Sequence, residues 1–152
     1  MKKIMLTMMA LCLFVTAFAG CGGKSNEKEY DLEALSSEIV ASDAFSDILN
    51  QVNPDIAPTF YGFDAADVES MSLYCSTGAT TEEVGIFKCK DEDAASRVLE
   101  KAKERVDFQK TSYESYAPAE VPKLNDAIVK AEGVYVFYIV ANDYTAVNKI
   151  LK

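Results

Sequence analysis

Residues 134–141 read VYVFYIVA, an unbroken run of apolar and aromatic side chains near the end of the chain. The run lies between Gly133 and Asn142-Asp143, and such turn residues on both sides are typical of a strand. A strand with one solvated face alternates polar and apolar residues, and this run does not. It therefore predicts a central strand with both faces covered by other elements.

Three further strands are predicted around this one. Residues 127–131 precede it across a tight turn at Glu132-Gly133, so the two segments form a hairpin. Residues 71–75 alternate apolar and polar side chains, and residues 84–90 (VGIFKCK) return after a polar loop around Gly78.

Helical patterns fill the remaining segments. The clearest helix begins after Asp91, a capping residue followed by two acids, and ends before Pro118. Its predicted core-facing stripe comprises Ala95, Leu99, Ala102, Val106, Gln109, Tyr113 and Tyr116. A first helix is predicted over residues 30–52 with a break at residues 41–43, and a final helix is predicted after a cap at Asn142 or Asp143.

The order of these elements indicates the fold class. An N-terminal helix is followed by ββα and again by ββα, which predicts one α+β domain over residues 30–152. Because both strand pairs are local hairpins, we expect a mainly antiparallel, four-stranded sheet packed against helices.

Residues 1–20 have the pattern of an export signal. Lys2 and Lys3 precede an apolar run over residues 4–18, which is shorter than the roughly twenty residues needed to cross a bilayer. Removal of this segment takes away two lysines and no acids.

Phe18-Ala19-Gly20-Cys21 resembles the lipobox of bacterial lipoproteins, although Phe18 stands where an aliphatic residue is usual. The motif predicts cleavage between Gly20 and Cys21 and attachment of lipid to Cys21. Two acyl chains hold a protein stably on a membrane. Residues 21–29 would then be the lipidated cysteine and a polar tether, with the domain on the extracytoplasmic face of the cell membrane. The alternative is an ordinary signal peptide followed by an unmodified cysteine.

Composition excludes several classes of function. The formal net charge is −9, which argues against nucleic acid as a partner because no basic patch exists to neutralise phosphates. The chain has no histidine, so Ser–His and Cys–His nucleophile systems and imidazole metal sites are ruled out. We predict no cofactor, and we expect the partner to be an envelope protein or a cell-wall ligand.

Cys75 and Cys89 remain after the leader and Cys21 are set aside. A hairpin turn near Gly78 would place Cys75 opposite Val84 or Gly85, about four residues from Cys89. Four strand residues span about 13 Å, which is beyond the reach of a disulfide. Two free thiols are the favoured prediction, and a disulfide, which export permits, is the alternative.

Two segments are candidate surface sites. Tyr116, Pro118 and Glu120 could place a hydroxyl and a carboxylate on a rigid turn, or they could simply end the helix. Glu82 and Glu83, beside Thr80 and Thr81 at the hairpin mouth, could offer oxygens to a cation, although no calcium-loop motif is present and we predict no metal site.

The chain resembles a family of small, mostly Gram-positive bacterial lipoproteins known as domain of unknown function 4358. The matching segments are Phe45, Tyr61-Gly62, Asp67-Val68-Glu69, Gly78-Ala79, residues 82–88, Tyr116-Ala117-Pro118-Ala119-Glu120, Gly133, Tyr135 and Asp143. No single segment is specific, but their order is. The resemblance implies a cellular location and a fold, and it implies no mechanism.

The expected function is a non-enzymatic binding or interaction module held at the envelope. Two alternative functions remain. One is a carboxylate-dependent hydrolase, which needs two acids roughly 5–10 Å apart, one of them with a raised pKa. The other is an inhibitor or accessory of an envelope enzyme, which would present an exposed strand edge or apolar patch.

Overall fold

The computed structural model describes residues 28–152, and the predicted leader, Cys21 and most of the tether lie outside them. The helices are α1 (Leu32–Val40), α2 (Ala57–Tyr61), α3 (Glu92–Tyr116), α4 (Val121–Asn125) and α5 (Tyr144–Ile150). The strands are β1 (Asn50–Gln51), β2 (Val68–Cys75), β3 (Glu83–Cys89), β4 (Ile128–Glu132) and β5 (Tyr135–Val140). Short 3-10 turns span Pro54–Ile56, Ala65–Asp67 and Pro118–Glu120.

The five strands form one antiparallel sheet in the order β1-β2-β3-β5-β4. The predicted hairpin of β4 and β5 is present, with Glu132 paired to Tyr135 and Gly133 at a φ of 56° in the turn between them. A positive φ favours glycine because it has no Cβ to clash. The run at residues 134–141 contributes β5, which lies between two other strands as its composition predicted.

Both faces of β5 are covered, because the sheet separates two apolar clusters. Val136 and Tyr138 belong to the cluster that packs against α3, whereas Phe137 and Ile139 belong to the cluster that packs against α1 and α5. Every residue of β5 is buried. Burying a large apolar side chain contributes roughly 1.5–3 kcal/mol, so this strand contributes a large share of the free energy of folding.

The α+β class is confirmed, but the predicted count of four strands and the plain ββα-ββα order are wrong. The additional strand, β1, has only two residues, and Asn50 pairs with Cys75. Asn and Gln have weak strand preference, so this strand depends on its partner rather than on its own sequence. The short helices α2 and α4 were also not predicted.

The break predicted at residues 41–43 is confirmed as the end of α1, but the helix predicted after it, up to residue 52, is wrong. The α1 helix begins after Asp31, whose side chain accepts a hydrogen bond from the Ala34 amide, and Ala41 is its C-cap. Residues 42–49 are irregular in the structure. They are held by a buried carboxylate from another part of the chain, as described below, and that interaction has no signature in the local apolar pattern.

Capping predictions for the other helices are confirmed. The Asp91 side chain accepts from the Ala94 amide at the start of α3, and the Asp143 side chain accepts from the Thr145 amide at the start of α5. The α3 helix ends at Tyr116, before Pro118, as predicted.

The predicted core-facing stripe of α3 is correct in its middle and wrong at its end. Ala95, Ala102, Val106 and Gln109 are buried, whereas Tyr116 is 73% exposed. A helix of 25 residues is about 37 Å long, while the eight-residue strand β2 spans only about 26 Å. The last turn therefore extends beyond the sheet.

Cys75 and Cys89 are free thiols, as the favoured prediction stated. Cys75 is paired with Glu83 in the sheet rather than with Val84 or Gly85, because the loop between β2 and β3 is shorter than expected. No helix within residues 28–152 is long and apolar enough to cross a membrane.

Candidate functional site

Glu83 is the first residue of β3 and Glu82 directly precedes it, and neighbouring side chains in extended backbone alternate in direction. The interpretation of this pair as open oxygen ligands at a hairpin mouth is wrong. Their residues are only 1% and 2% exposed, and each carboxylate is paired with a cation of its own. The two glutamates therefore organise two separate polar networks.

Glu83 is the acceptor at the centre of a network under α3. Arg105 donates to its carboxylate from Nη2 at 2.6 Å and from Nε at 3.0 Å, a two-pronged geometry that strengthens an ion pair. The Tyr61 hydroxyl donates to the same carboxylate, and the Gln109 amide donates to it at 3.4 Å. The Tyr138 hydroxyl then donates to the Gln109 carbonyl oxygen, which extends the network into β5.

Arg105 is held from three sides although it is almost fully buried. Its guanidinium carbon lies 3.6 Å from the centroid of the Phe60 ring, and Nη1 donates to the Phe60 carbonyl oxygen at 3.3 Å. Burial disfavours the charge, but the charge and hydrogen bonds of Glu83 outweigh it and raise the pKa of Arg105. Burial raises the pKa of Tyr61 well above its usual value, so that phenol stays neutral.

Gly85 makes room for this network. A Cβ at this position would lie 2.8 Å from the Tyr61 hydroxyl oxygen and 3.0 Å from the Phe87 ring. Because Gly85 has no side chain, the Tyr61 ring can lie against β3 and reach Glu83. A glycine in the middle of an otherwise apolar strand is a typical sign of such a close approach.

Glu82 organises the second network, which fixes the irregular segment after α1. Its carboxylate accepts from the Ser46 and Asp47 backbone amides, from the Ser46 hydroxyl at 2.6 Å, and from Lys123 Nζ at 2.9 Å. Burial acts to raise the pKa of Glu82, but the hydrogen bonds from Ser46 and Lys123 prevail and lower it. Glu120 joins this network through a 3.0 Å ion pair to Lys123.

A cleft of about 210 Å³ lies between the β2–β3 loop and α3. The Glu83–Arg105 pair lines its base, and Thr80 lines one side. Phe60 and Phe108 stand at the rim with 44% and 68% of their surfaces exposed. Large aromatic side chains exposed beside a cleft are a feature of binding sites.

Cys75 also lines this cleft, but its thiol is not activated. Burial, together with the nearby charge of Glu83, raises the pKa of Cys75 far above its usual value. The reactive form of a cysteine is the thiolate. The thiol of Cys75 therefore stays protonated at neutral pH and does not act as a nucleophile.

A second depression of about 320 Å³ adjoins the cleft. Phe60, Arg105 and Phe108 line both, so the two depressions share one aromatic wall. Together they form a groove along α3, with Thr59 and Glu104 in its outer part.

A larger depression, of about 540 Å³, lies at the start of α3. The charged residues that line it stabilise the fold. Asp67 binds Arg97 through two hydrogen bonds and forms a 3.0 Å ion pair with Lys90. The hydrogen bonds from Arg97 lower the pKa of Asp67. These charges neutralise one another and tie α3 to the segment before β2, so we do not place a site there.

The sequence-predicted site residues are distributed over different surroundings. Glu82 and Glu83 both line the cleft, and Glu82 and Glu120 also belong to the adjoining network. Glu120 accepts from the Thr81 amide at 3.1 Å, whereas Tyr116 is exposed and contacts the ring of Tyr113. Pro118 begins the 3-10 turn that follows α3.

Sequence reasoning missed Phe60, Arg105 and Phe108. Phe108 did carry a signal, since it is a large aromatic residue off the core-facing stripe of an amphipathic helix. Arg105 carried none, because a single arginine next to a stripe is normally solvated. Its burial depends on Glu83, which is 22 positions away in the chain.

No group of three or more Cys, Asp or Glu side chains that could hold a metal ion occurs in the part of the chain that the structure describes. The carboxylates of Glu82 and Glu83 are both already neutralised by cationic side chains. The residues of the cleft therefore do not offer the oxygen-rich shell that calcium or magnesium requires.

The protein is a small α+β domain whose sheet is covered on both faces. A cleft lined by side chains lies between the β2–β3 loop and the long helix α3. The sequence model of the domain of unknown function DUF4358 matches residues 46–141, and the chain belongs to this family. The matched region includes every residue that lines the cleft. No curated protein and no solved structure matches the chain.

Proposed function

We propose that the protein is a non-enzymatic binding module of the cell envelope, tethered to the membrane through lipid on Cys21. The charged start, the short apolar run and the lipobox-like sequence at residues 18–21 support the tether. Two acyl chains on one cysteine would hold the chain stably at the membrane surface. A polar segment over residues 22–28 would keep the domain within reach of the envelope.

The single observation that carries the binding role is the pre-organised cleft. Its base is built from a buried ion pair whose members also bind Tyr61, Gln109 and the Phe60 carbonyl group, so these side chains are held in one arrangement. Above this rigid base, Phe60 and Phe108 expose aromatic surface. A rigid polar base with an aromatic rim lowers the entropy lost on binding.

The geometry does not support the hydrolase alternative. A general acid of this kind needs a carboxyl group with a raised pKa. Glu83 is neutralised by Arg105, and the pKa of Glu82 is lowered by its hydrogen bonds despite burial. Glu82 therefore lacks the raised pKa of a general acid, and the carboxylate of Glu83 is held in an ion pair by Arg105.

The accessory alternative has one observation in its favour, the exposed pair Phe60 and Phe108. A stable protein interface usually buries about 800 Å² on each partner. Two aromatic side chains provide only part of such an area. A binding cleft for a smaller ligand accounts for the same residues without a larger apolar surface.

The tether is tested by metabolic labelling of cells with an alkyne fatty acid. We expect Cys21→Ser to abolish labelling and to release the chain from the membrane fraction or leave it unprocessed. Cys12→Ser is the matched control, because it removes a cysteine from the predicted leader, and it should label as the wild type does. Unchanged labelling of Cys21→Ser would disprove the lipid anchor.

The binding role is tested by sedimentation of the full chain, purified in detergent, with isolated envelope material. We expect saturable co-sedimentation that Phe108→Ala weakens. Ile48→Ala is the control, because Ile48 is 74% exposed and does not line the cleft. The proposal would be contradicted if Phe108→Ala and Ile48→Ala co-sedimented equally, or if the wild type did not co-sediment with the envelope material.

A further inference from the structure

We infer that the groove formed by the cleft and the adjoining depression binds a chain of uncharged sugar rings. The inference rests on the proposed function, because it names the class of ligand that the same cleft takes. Its basis is threefold: the charge balance of the groove, its free hydrogen-bonding groups and its aromatic wall.

The charge balance at the base of the cleft favours a neutral ligand. Arg105 is the one cation among the described residues that line the cleft, and Glu83 neutralises it at 2.6 Å. Glu82 is likewise neutralised, by Lys123. An anionic polymer would find no unpaired cation there, and a cationic ligand would find no unpaired carboxylate at the base.

Hydrogen-bonding groups remain free in the cleft. Arg105 uses Nε and Nη2 for Glu83 and Nη1 for the Phe60 carbonyl oxygen. A guanidinium has five N–H groups, so two have no partner within residues 28–152. The Thr80 hydroxyl accepts from the Glu82 amide and donates to no residue in that range, and the Tyr113 hydroxyl only donates. Sugar hydroxyls both donate and accept, so they can satisfy all of these groups.

The aromatic wall suits the apolar face of a sugar ring. The face of a phenyl ring carries partial negative charge, and it attracts the partially positive C–H groups that a sugar ring presents on one side. Phe108 offers this surface to solvent, and Phe60 stands beside it with Arg105 stacked on its ring. Because both aromatic residues line the two adjoining depressions, successive rings of one chain can contact them.

An extended peptide fits this groove less well. Peptides bound in extended form usually pair with the open edge of a sheet. The free edges of this sheet belong to β4 and to β1 together with the part of β2 that β1 does not cover, whereas β2 and β3 at the cleft are paired on both sides. Cys75, at the end of β2, is paired to both Asn50 and Glu83. The cleft therefore offers side chains and no strand edge.

Titration calorimetry of the full chain in detergent tests the inference. The probes are N-acetylglucosamine and its β-1,4-linked dimer and tetramer, which are uncharged. We expect the tetramer to bind more tightly than the monomer and its affinity to be nearly independent of salt. Phe108→Ala should weaken tetramer binding roughly three- to tenfold, as expected for the loss of one stacking contact. Phe108→Trp should preserve it, and Ile48→Ala is the control.

Different results would contradict the sugar ligand and the binding role. Absence of heat with all three sugars, or tetramer binding that Phe108→Ala leaves unchanged, would overturn the assignment of a sugar ligand. Tight, salt-sensitive binding of a poly(glycerol phosphate) probe would overturn it in favour of an anionic polymer. In each case envelope sedimentation that still depends on Phe108 would preserve the binding role, and its loss would remove both.

Discussion

Arg105 and Glu83 form a buried ion pair. We expect loss of either charged group to destabilise the fold more than any other single substitution. Removing one member of a buried ion pair leaves an unpaired charge in a medium of low polarity, which costs about 3–5 kcal/mol. Arg105→Met should therefore lower the free energy of unfolding by about that amount. Urea denaturation followed by circular dichroism measures it.

A double variant separates charge burial from packing at the same position. Arg105→Met combined with Glu83→Met should recover part of the lost stability, since no charge is then buried. Recovery stays partial because Tyr61 and Gln109 lose their acceptor. Lys103→Ala, which breaks the exposed pair with Glu100, is the control and should change stability by less than about 1 kcal/mol. Equal loss in the single and double variants would show that the charge is not the cause.

Gly85→Ala tests the close approach of Tyr61 to β3. The new methyl group would overlap the Tyr61 hydroxyl, which lies 2.8 Å from the Cβ position. Overpacking of this kind usually destabilises by about 1–3 kcal/mol. Tyr61→Phe removes the overlapping oxygen, so Gly85→Ala should be less destabilising in that background than in the wild type. Additive effects in thermal unfolding would contradict this geometry.

At the scale of the element, α1 contains an unfavourable hydroxyl. Ser36 is fully buried, and its Oγ atom has no hydrogen-bond partner within residues 28–152. Ser36→Ala should therefore stabilise the protein, while Ser37→Ala on the exposed side of the same helix reports the change in helix propensity alone. We expect Ser36→Ala to exceed Ser37→Ala by about 1 kcal/mol in urea denaturation. A smaller gain than that of Ser37→Ala would indicate that Ser36 is satisfied in solution.

At the scale of the whole molecule, Glu82 connects the segment after α1, the start of β3 and α4 through Ser46 and Lys123. Its pKa is lower in the folded protein than the ordinary value of 4.5, so folding favours the ionised form. The stabilisation is present above pH 4.5 and is lost as the pH falls through the lower folded value. Unfolding free energy measured in urea over a pH series should therefore decline below about pH 4.5.

Glu82→Gln should reduce that decline, because the group that titrates is removed. Its stability near neutral pH should be lower than that of the wild type, since an amide does not replace an ion pair with Lys123. Glu114→Gln removes an exposed carboxyl group of α3 and is the matched control. If the unfolding free energy of Glu82→Gln declines with falling pH as steeply as that of the wild type, the acid sensitivity belongs to other carboxylates, such as Asp67.

The amino-acid sequence by itself determined the antiparallel hairpins, the central position of β5, the caps and end of α3, and the free thiols. These features depend on local side-chain period and on turn chemistry, which act over a few neighbouring residues. The family assignment also followed from the order of short segments along the chain.

Only the tertiary structure decided where the polar residues went. Local pattern placed Glu82 and Glu83 in solvent and left Arg105 unnoticed, because a charged residue is buried only when a partner arrives from elsewhere in the chain. The partners here, Lys123 and Arg105, are 41 and 22 positions away. The two-residue strand β1 and the irregular segment before it depend in the same way on distant groups, and so does the cleft, whose lining residues come from separate parts of the chain.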